Sequence, residues 1–166
     1  MLFKKVVRFI TFILMIVGAV FNILAIAGNS WENINVNTKI QDRSYHIGLW
    51  KVCENSISSK CFNREKTDAL KATQAFMILG FLGYLTAFIF CALLHINKNF
   101  TINLLGVVLN TSALCLLIGL SVYTNQVSIR EYKYGWSYII GWISFLLTLV
   151  AGLLCYTEHF EYHSIK

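Results

Sequence analysis

The strongest constraint in this sequence is the spacing of its charged residues. Four long uncharged stretches separate consecutive charges: 23 residues after Arg8, 26 after Lys71, 31 after Lys98 and 24 after Lys133. Each exceeds the roughly 20 residues with which an α-helix crosses a bilayer. The chain is also 57% hydrophobic and only 13% charged, which argues against a soluble domain and against disorder. The sequence therefore predicts a membrane protein.

Helices are expected in these stretches, because backbone groups in hydrocarbon must pair within their own segment and the alternating pattern of a membrane barrel is missing. The predicted fold class is all-α, an antiparallel four-helix transmembrane bundle formed by the whole chain, 1–166. We place the helices at about 9–29, 73–96, 102–123 and 136–156, the outer loops at 30–72 and 124–135, and a cytosolic tail at 157–166.

The charges beside the first helix predict its orientation. Lys4, Lys5 and Arg8 precede the helix, whereas its far end first meets the acidic Glu32. Because basic residues favour the cytosolic side, both termini are expected in the cytosol and loop 30–72 outside the cell. Nine of the 14 basic residues fall in the two outer loops, but in the first loop five acidic residues accompany seven basic ones.

The end of the first helix also has the form of a signal-peptide cleavage site, with Ala25-Ile26-Ala27 before Gly28. Its apolar run of roughly 20 residues is longer than the apolar region of a signal peptide. We therefore expect a retained membrane anchor. Cleavage would instead leave three spans and an N-terminus outside.

The predicted spans contain no Asp, Glu, Lys or Arg, on which proton relays, voltage sensors and ion-coupled transporters depend. Small residues at a spacing of four form stripes on three helices, which predict close helix packing in the bundle or, as an alternative, a homo-oligomer contact. The stripes are Gly83, Ala87 and Cys91; Thr111, Cys115 and Gly119; and Ser144, Thr148 and Gly152.

The two outer loops have strand-like segments at 31–36, 44–53 and 127–134, which predict a small extracellular β-sheet above the bundle. Within the second segment, Gly48 would allow a bulge or a close backbone approach beside Trp50.

The five cysteines divide by predicted location. Cys53 and Cys61 lie in the outer loop, where oxidising surroundings favour a disulfide, while the other three lie within or at the end of helices. A bond between the first two would stabilise the folded protein by about 2.5 kcal/mol, because it lowers the conformational entropy of the unfolded chain. Their neighbours lack the spacing of a zinc site, and we expect no metal or other cofactor. Cys155 is either palmitoylated or an unmodified small residue of the fourth helix.

An enzyme is not predicted, because the sequence shows no catalytic Ser/His/Asp or Cys/His set, phosphate-binding glycine loop or facing carboxylate pair. A nucleic-acid partner is not expected either, since the net charge of +6 forms no basic face with interleaved aromatics.

Three tryptophans and one motif in the tail lead to further predictions. Trp31 and Trp136 are expected in an interfacial aromatic belt, and Trp50 is expected to be buried by loop folding or by lipid. In the tail, Tyr162 and Ile165 have the spacing of a tyrosine-based endocytic sorting signal, a form that also occurs by chance.

The first outer loop resembles the signature of the claudin superfamily, which places a tryptophan, a Gly-Leu-Trp segment and two cysteines between the first two of four spans. The likeness extends to the start of the second and fourth helices. The sequences of these segments are most similar to the branch that contains peripheral myelin protein, the epithelial membrane proteins and the lens fibre membrane intrinsic protein. The residues that carry it are Trp31, Gly48-Leu49-Trp50, Cys53, Cys61, 68–79, 122–124 and 134–142.

The resemblance implies a four-helix bundle with a small extracellular sheet, a Cys53–Cys61 disulfide and Trp50 near the outer membrane surface. It also implies a plasma-membrane protein, found among other places at cell junctions, that acts in cell–cell contact, membrane organisation and control of growth or survival. Its partners would be lipids and other membrane proteins in cis or in trans. The alternative is a paracellular pore or barrier lined by loop charges such as Lys39, Asp42 and Arg43, or an auxiliary ion-channel subunit.

Two departures favour the epithelial membrane proteins over tight-junction claudins. Gln74 stands where many claudins carry Arg, and Ser164-Ile165-Lys166 lacks the hydrophobic terminal residue that scaffold domains capture. The sequons at Asn99 and Asn110 fall on the cytosolic turn and inside a helix, so neither is expected to carry a glycan.

Overall fold

A computed structural model describes residues 2–38, 41–55, 60–96, 102–128 and 133–164. All four helices are long and apolar enough to cross a membrane, and a small antiparallel sheet accompanies them. The predicted fold class is therefore confirmed. The elements are α1 (Leu2–Ala27), β1 (Glu32–Thr38), β2 (Gln41–Ile47), β3 (Lys51–Asn55), β4 (Lys60–Asn63), α2 (Asp68–Ile96), α3 (Ile102–Ser128), β5 (Lys133–Tyr134) and α4 (Trp136–Ser164).

The helices run past the hydrophobic stretches from which they were predicted. At the start of α2, for example, Thr67 caps the helix: its hydroxyl accepts a hydrogen bond from the Leu70 N–H at 3.3 Å, and its carbonyl accepts one from the Lys71 N–H at 3.0 Å. The thickness of the bilayer fixes the apolar length, whereas caps and local hydrogen bonds fix where a helix ends.

Small side chains let α2 and α3 approach closely. A Cβ atom added at Gly83 would lie 2.7 Å from Cβ of Ser112, and the Ser112 hydroxyl donates to the carbonyl of Gly80 at 2.7 Å. Between α3 and α4, a Cβ at Gly152 would lie 2.7 Å from the amide of Asn110. Such contacts supply the van der Waals packing on which helix association in lipid depends.

A hydroxyl cluster ties three helices together near the middle of the bundle. The buried Tyr84 hydroxyl of α2 lies within hydrogen-bond distance of Thr148 and Ser144 on α4. The Ser144 hydroxyl in turn donates to the carbonyl of Gly18 on α1 at 2.8 Å. Each of these polar groups therefore finds a partner inside the bundle.

The predicted stripes on α2 and α4 lie in or beside these contacts, but the stripe on α3 leaves the contact face. Gly119 is buried, Cys115 is half-buried, and Thr111 is exposed with its hydroxyl donated to Val107 of its own helix. With 3.6 residues per turn, each step of four residues rotates about 40° beyond a full turn. Ser112, the residue after Thr111, makes the contact with α2.

The five strands form one antiparallel sheet in the order β4-β3-β2-β1-β5, which we call the lobe. Directly opposed residues share a face of a sheet. Two rows cross the four longer strands: the inner row is Glu32, Ile47, Val52 and Phe62, and the outer row, on the opposite face, is Asn33, His46, Cys53 and Cys61. Cys53 and Cys61 form a disulfide across β3 and β4, which confirms the predicted bond.

Two strand predictions need correction. The segment 44–53 is not continuous, because the chain turns between β2 and β3, where the Gly48 N–H donates to the Lys51 carbonyl at 2.8 Å. A Cβ at Gly48 would lie 2.8 Å from Cα of Asn29, so the expected close approach occurs within this turn. In the segment 127–134, Val127 is still buried in α3, and within the described residues of this segment the strand comprises Lys133–Tyr134.

Replacing Gly83 by Ala is expected to destabilise the bundle, because α2 and α3 must separate to admit the added Cβ. Overpacking of this kind costs about 1–3 kcal/mol of unfolding free energy. Titration of the purified protein with SDS measures the loss. Leu82→Ala, at an exposed neighbouring position, is the control and should change stability less. An unchanged unfolding free energy for Gly83→Ala would contradict the close contact.

Candidate functional site

The lobe meets the bundle at a buried charged cluster, which we call the junction and define as Trp31, Glu32, Arg64 and Tyr123. Glu32, the first residue of β1, is only 2% exposed. Its Oε1 accepts a hydrogen bond from Nη2 of Arg64 at 2.9 Å and a second from the hydroxyl of Tyr123 on α3. One carboxylate oxygen thus joins the start of β1, the connection from β4 to α2, and the last turns of α3.

Both charges of the junction are compensated. Burial by itself lowers the pKa of the Arg64 guanidinium, but the oxygens of Tyr123 and Glu32 raise it by more, so that this pKa lies above its ordinary value. Nη1 of Arg64 also donates to the Gly48 carbonyl at 2.9 Å and to the Tyr123 hydroxyl at 3.1 Å. A buried charge is tolerated when it is paired and hydrogen-bonded in this way.

Trp31 is fully buried, so its expected place in an interfacial aromatic belt is wrong. Its ring packs edge-on against Tyr123 and Tyr138, with centroids 4.6 and 6.0 Å away. Its indole N–H donates to the Ala25 carbonyl at 2.7 Å. The tryptophan follows α1 after only a few residues, which carries it under the sheet. Trp136, at the start of α4, is exposed.

The Gly-Leu-Trp turn fixes the lobe to α1 and α2. Leu49 is buried, and its carbonyl accepts a hydrogen bond from the side-chain amide of Gln74 at 2.6 Å. The Trp50 indole N–H donates to the Ile26 carbonyl at 2.9 Å, although the ring remains partly exposed. The two tryptophans therefore satisfy two carbonyls at the end of α1 that have no partner within the helix.

The connection to α4 leaves no room for a side chain at Gly135. A Cβ there would lie 2.1 Å from the carbonyl oxygen of Ser30. The Gly135 N–H donates to the Trp31 carbonyl at 2.9 Å, and the Ser137 N–H donates to the Ser30 carbonyl at 3.0 Å. All four helices thus contribute to the seat of the lobe.

The remaining site residues singled out in the sequence lie elsewhere. Cys155 is buried and packs beside Gly106, and its palmitoylation stays a prediction. Asn110 donates to the Gly106 carbonyl within α3. Tyr162 lies in the last turn of α4. Ile165, Asn99 and Lys39 lie outside the described residues.

The groups of the junction satisfy one another, so the arrangement connects two parts of the protein and presents no reactive atom. In the described ranges, no group of three or more His, Cys, Asp or Glu residues could hold a metal ion. Sequence reasoning singled out Trp31 but missed Glu32 and Arg64, because a charge within a charge-rich loop has the same pattern whether it is solvated or buried. Tyr123 was noticed only through the resemblance.

Glu32→Gln is expected to destabilise the protein strongly, because it leaves the Arg64 guanidinium buried without a counter-charge. Breaking one partner of a buried ion pair costs about 3–5 kcal/mol of unfolding free energy. Combining the change with Arg64→Met should recover part of this loss, as measured by denaturant unfolding in detergent micelles. A double variant no more stable than the single one would argue against the charge as the cause.

Lys71→Ala is the matched control for this experiment. The ion pair of Lys71 with Asp68 has the same 2.9 Å separation as that of Arg64 with Glu32, but its side chains are 58% and 98% exposed. Solvent screens such a pair, and its loss should change stability little.

We expect the mature protein to retain α1. Cleavage after Ala27 would remove the carbonyls of Ala25 and Ile26, which accept the indole N–H groups of Trp31 and Trp50. Edman sequencing or intact-mass analysis of the purified protein tests this. A new N-terminus at Gly28 would contradict the expectation.

Comparisons with known proteins agree over most of the chain. Epithelial membrane protein 1 of Homo sapiens is 38% identical over 114 residues, which are 65% of this chain and 72% of the relative. The lens fiber membrane intrinsic protein of Rattus norvegicus is 29% identical over 150 residues, 82% of each chain. Epithelial membrane protein 1 of Oryctolagus cuniculus is 29% identical over 157 residues, 90% of each chain.

The sequence pattern of the PMP-22/EMP/MP20/Claudin family matches residues 2–155, from the start of α1 to the buried part of α4. The match includes every residue of the junction and of the disulfide. The chain therefore belongs to the PMP-22/EMP/MP20/Claudin family and is a structural membrane protein rather than an enzyme.

Proposed function

We propose that this protein acts at the plasma membrane, including cell junctions, as an interaction protein whose lobe contacts membrane proteins of the same or a neighbouring cell. Through these contacts it would organise the membrane and influence cell growth or survival. The single observation that carries the proposal is the junction, which holds the lobe in one position on the bundle through Glu32, Arg64 and Tyr123.

A fixed lobe is suited to binding because its surface is ordered before a partner arrives. Ordering loops and side chains during association costs free energy, and preorganisation removes that cost. The Cys53–Cys61 disulfide orders β3 and β4, and the hydrogen bond from Gln74 to Leu49 holds the turn before β3. The lobe would therefore meet a partner as a rigid surface.

The outer row is the face of the lobe best placed for such a contact. It lies on the opposite side of the sheet from Glu32, which faces the bundle. On it, Nδ1 of His46 lies 2.8 Å from Oδ1 of Asn33, and that oxygen also accepts the Ser30 hydroxyl at 2.9 Å. A polar, internally hydrogen-bonded face is typical of contacts that form and dissociate between folded proteins.

Two features support placing the lobe outside the cell. The basic residues Lys4, Lys5 and Arg8 favour the cytosolic side for the start of α1. The disulfide on the lobe requires an oxidising compartment. The relatives named epithelial membrane protein and lens fiber membrane intrinsic protein support a role in a cell membrane.

The proposal can be tested by adding a glycan to the lobe next to its disulfide. Ile57→Thr completes an Asn-x-Thr sequon at Asn55, two positions after Cys53 on β3. We expect the variant to gain a glycan that an amidase removes, because the lobe faces the lumen during synthesis. At the cell surface, the bulky glycan should reduce both cell aggregation and cross-linking to membrane partners. Ile57→Val creates no sequon and should preserve both.

Three outcomes would count against the proposal in different ways. Absence of the glycan would place the lobe on the cytosolic side. A glycosylated variant that reaches the surface and aggregates cells fully would exclude this face as the contact surface. A change in the ion selectivity of an epithelial monolayer, without any effect on aggregation, would favour a paracellular pore.

A further inference from the structure

We infer that the lobe contacts the bilayer surface directly through Phe62 on β4, with Lys60 beside it facing the lipid phosphates. Phe62 is 60% exposed, more than the other large apolar side chains in the described part of the lobe. An aromatic side chain at this level of a membrane protein is stabilised by the interfacial layer of the bilayer. The inference does not depend on which side of the membrane the lobe occupies.

The register of the sheet gives the direction in which Phe62 faces. It ends the inner row, whose other members are Glu32, Ile47 and Val52. Glu32 is buried against the bundle, Ile47 and Val52 are half-buried, and Phe62 is exposed. Burial thus decreases along the row from β1 to β4. Phe62 faces the same way as Glu32 but lies beyond the edge of the bundle.

The height of Phe62 above the hydrocarbon follows from its neighbours. The Arg64 N–H donates to the Trp50 carbonyl at 2.9 Å, and the Trp50 indole reaches the Ile26 carbonyl at the end of the α1 span. Phe62 lies two positions before Arg64, which corresponds to a rise of at most about 7 Å along an extended chain. The headgroup layer is roughly 5–8 Å thick on each side of the hydrocarbon. Phe62 is therefore linked through Arg64 and Trp50 to the end of the α1 span, and we assign it to the headgroup layer next to that end.

The charge beside Phe62 fits the chemistry of that layer. Lys60 is exposed and lies two positions before Phe62 on β4, on the same face of the sheet. Its long side chain can direct the ammonium group to lipid phosphates while its methylene groups pack along apolar surface. Glu54 lies directly opposite Lys60 on β3, so both signs of charge occur beside the exposed aromatic. This combination suits the zwitterionic headgroups of a phosphatidylcholine surface.

The test places a fluorinated phenylalanine at Phe62 in the full-length protein, reconstituted into phosphatidylcholine nanodiscs. The same probe at Asn63 is the matched control, since that exposed residue lies next along β4 on the opposite face. Fluorine NMR then measures how much of the fluorine signal is lost to paramagnetic broadening in two separate experiments. One uses a nitroxide attached to the lipid headgroup, and the other uses a water-soluble gadolinium chelate. We expect the headgroup nitroxide to reduce the Phe62 signal more than the Asn63 signal, and the chelate to do the reverse.

A charge change provides a second measurement on the same samples. Lys60→Glu should weaken the effect of the headgroup nitroxide at Phe62, because a carboxylate is repelled by phosphate. Lys51→Glu, on the opposite face of the sheet, should leave that effect unchanged. Retention of the Cys53–Cys61 disulfide on a non-reducing gel shows that each variant is folded.

Two results would overturn the inference. Equal loss of both signals to the aqueous chelate would show that Phe62 faces water. Protection of Phe62 from both reagents would show that a protein surface, such as a second copy of the chain, covers it.

Discussion

The pairing of Glu32 with Arg64 is the interaction on which the arrangement of this protein depends. A carboxylate that is removed from water needs a partner, and the partner here comes from the other end of the same loop. Since Tyr123 shares the same oxygen, the position of the sheet cannot change without disturbing α3. The lobe and the bundle consequently form one structural unit.

The bundle and its junction with the lobe use polar groups differently. Within the bundle, hydroxyls such as those of Tyr84 and Ser144 add hydrogen bonds to contacts that small residues already make close. Between the lobe and the bundle, the indole N–H groups of Trp31 and Trp50 and the amide of Gln74 donate to backbone carbonyls in the turns and at the helix end. The first arrangement determines how near the helices lie, and the second determines where the sheet sits on them.

Much of the fold could be predicted from the sequence, because the bilayer imposes simple rules on it. The lengths of the stretches without charged residues identified the four spans. The position of Cys53 and Cys61 in the outer loop identified them as the disulfide pair. On α3, a spacing of four residues drifts away from a straight contact face, so Thr111 is exposed, and the packing role of this stripe stays a prediction. The junction could not be predicted, because the burial of Glu32 and Trp31 results from contacts between residues far apart in the chain. The sequence pattern shows how hydrophobicity varies along the chain. The contacts that bury Glu32 and Trp31 depend instead on where the sheet lies relative to the helices.

The way in which the lobe is seated also has a consequence for biosynthesis. Helix α1 and the first loop leave the ribosome well before Tyr123 and Gly135, yet both late residues are needed to complete the hydrogen bonds of Glu32 and Trp31. A partly synthesised chain therefore keeps an incompletely paired Glu32 carboxylate until its third helix has been made, and lacks the donor to the Trp31 carbonyl until Gly135 has been made. The seat of the lobe is thus complete only when the chain has been made as far as the start of α4, and a product truncated before that point lacks partners for these polar groups.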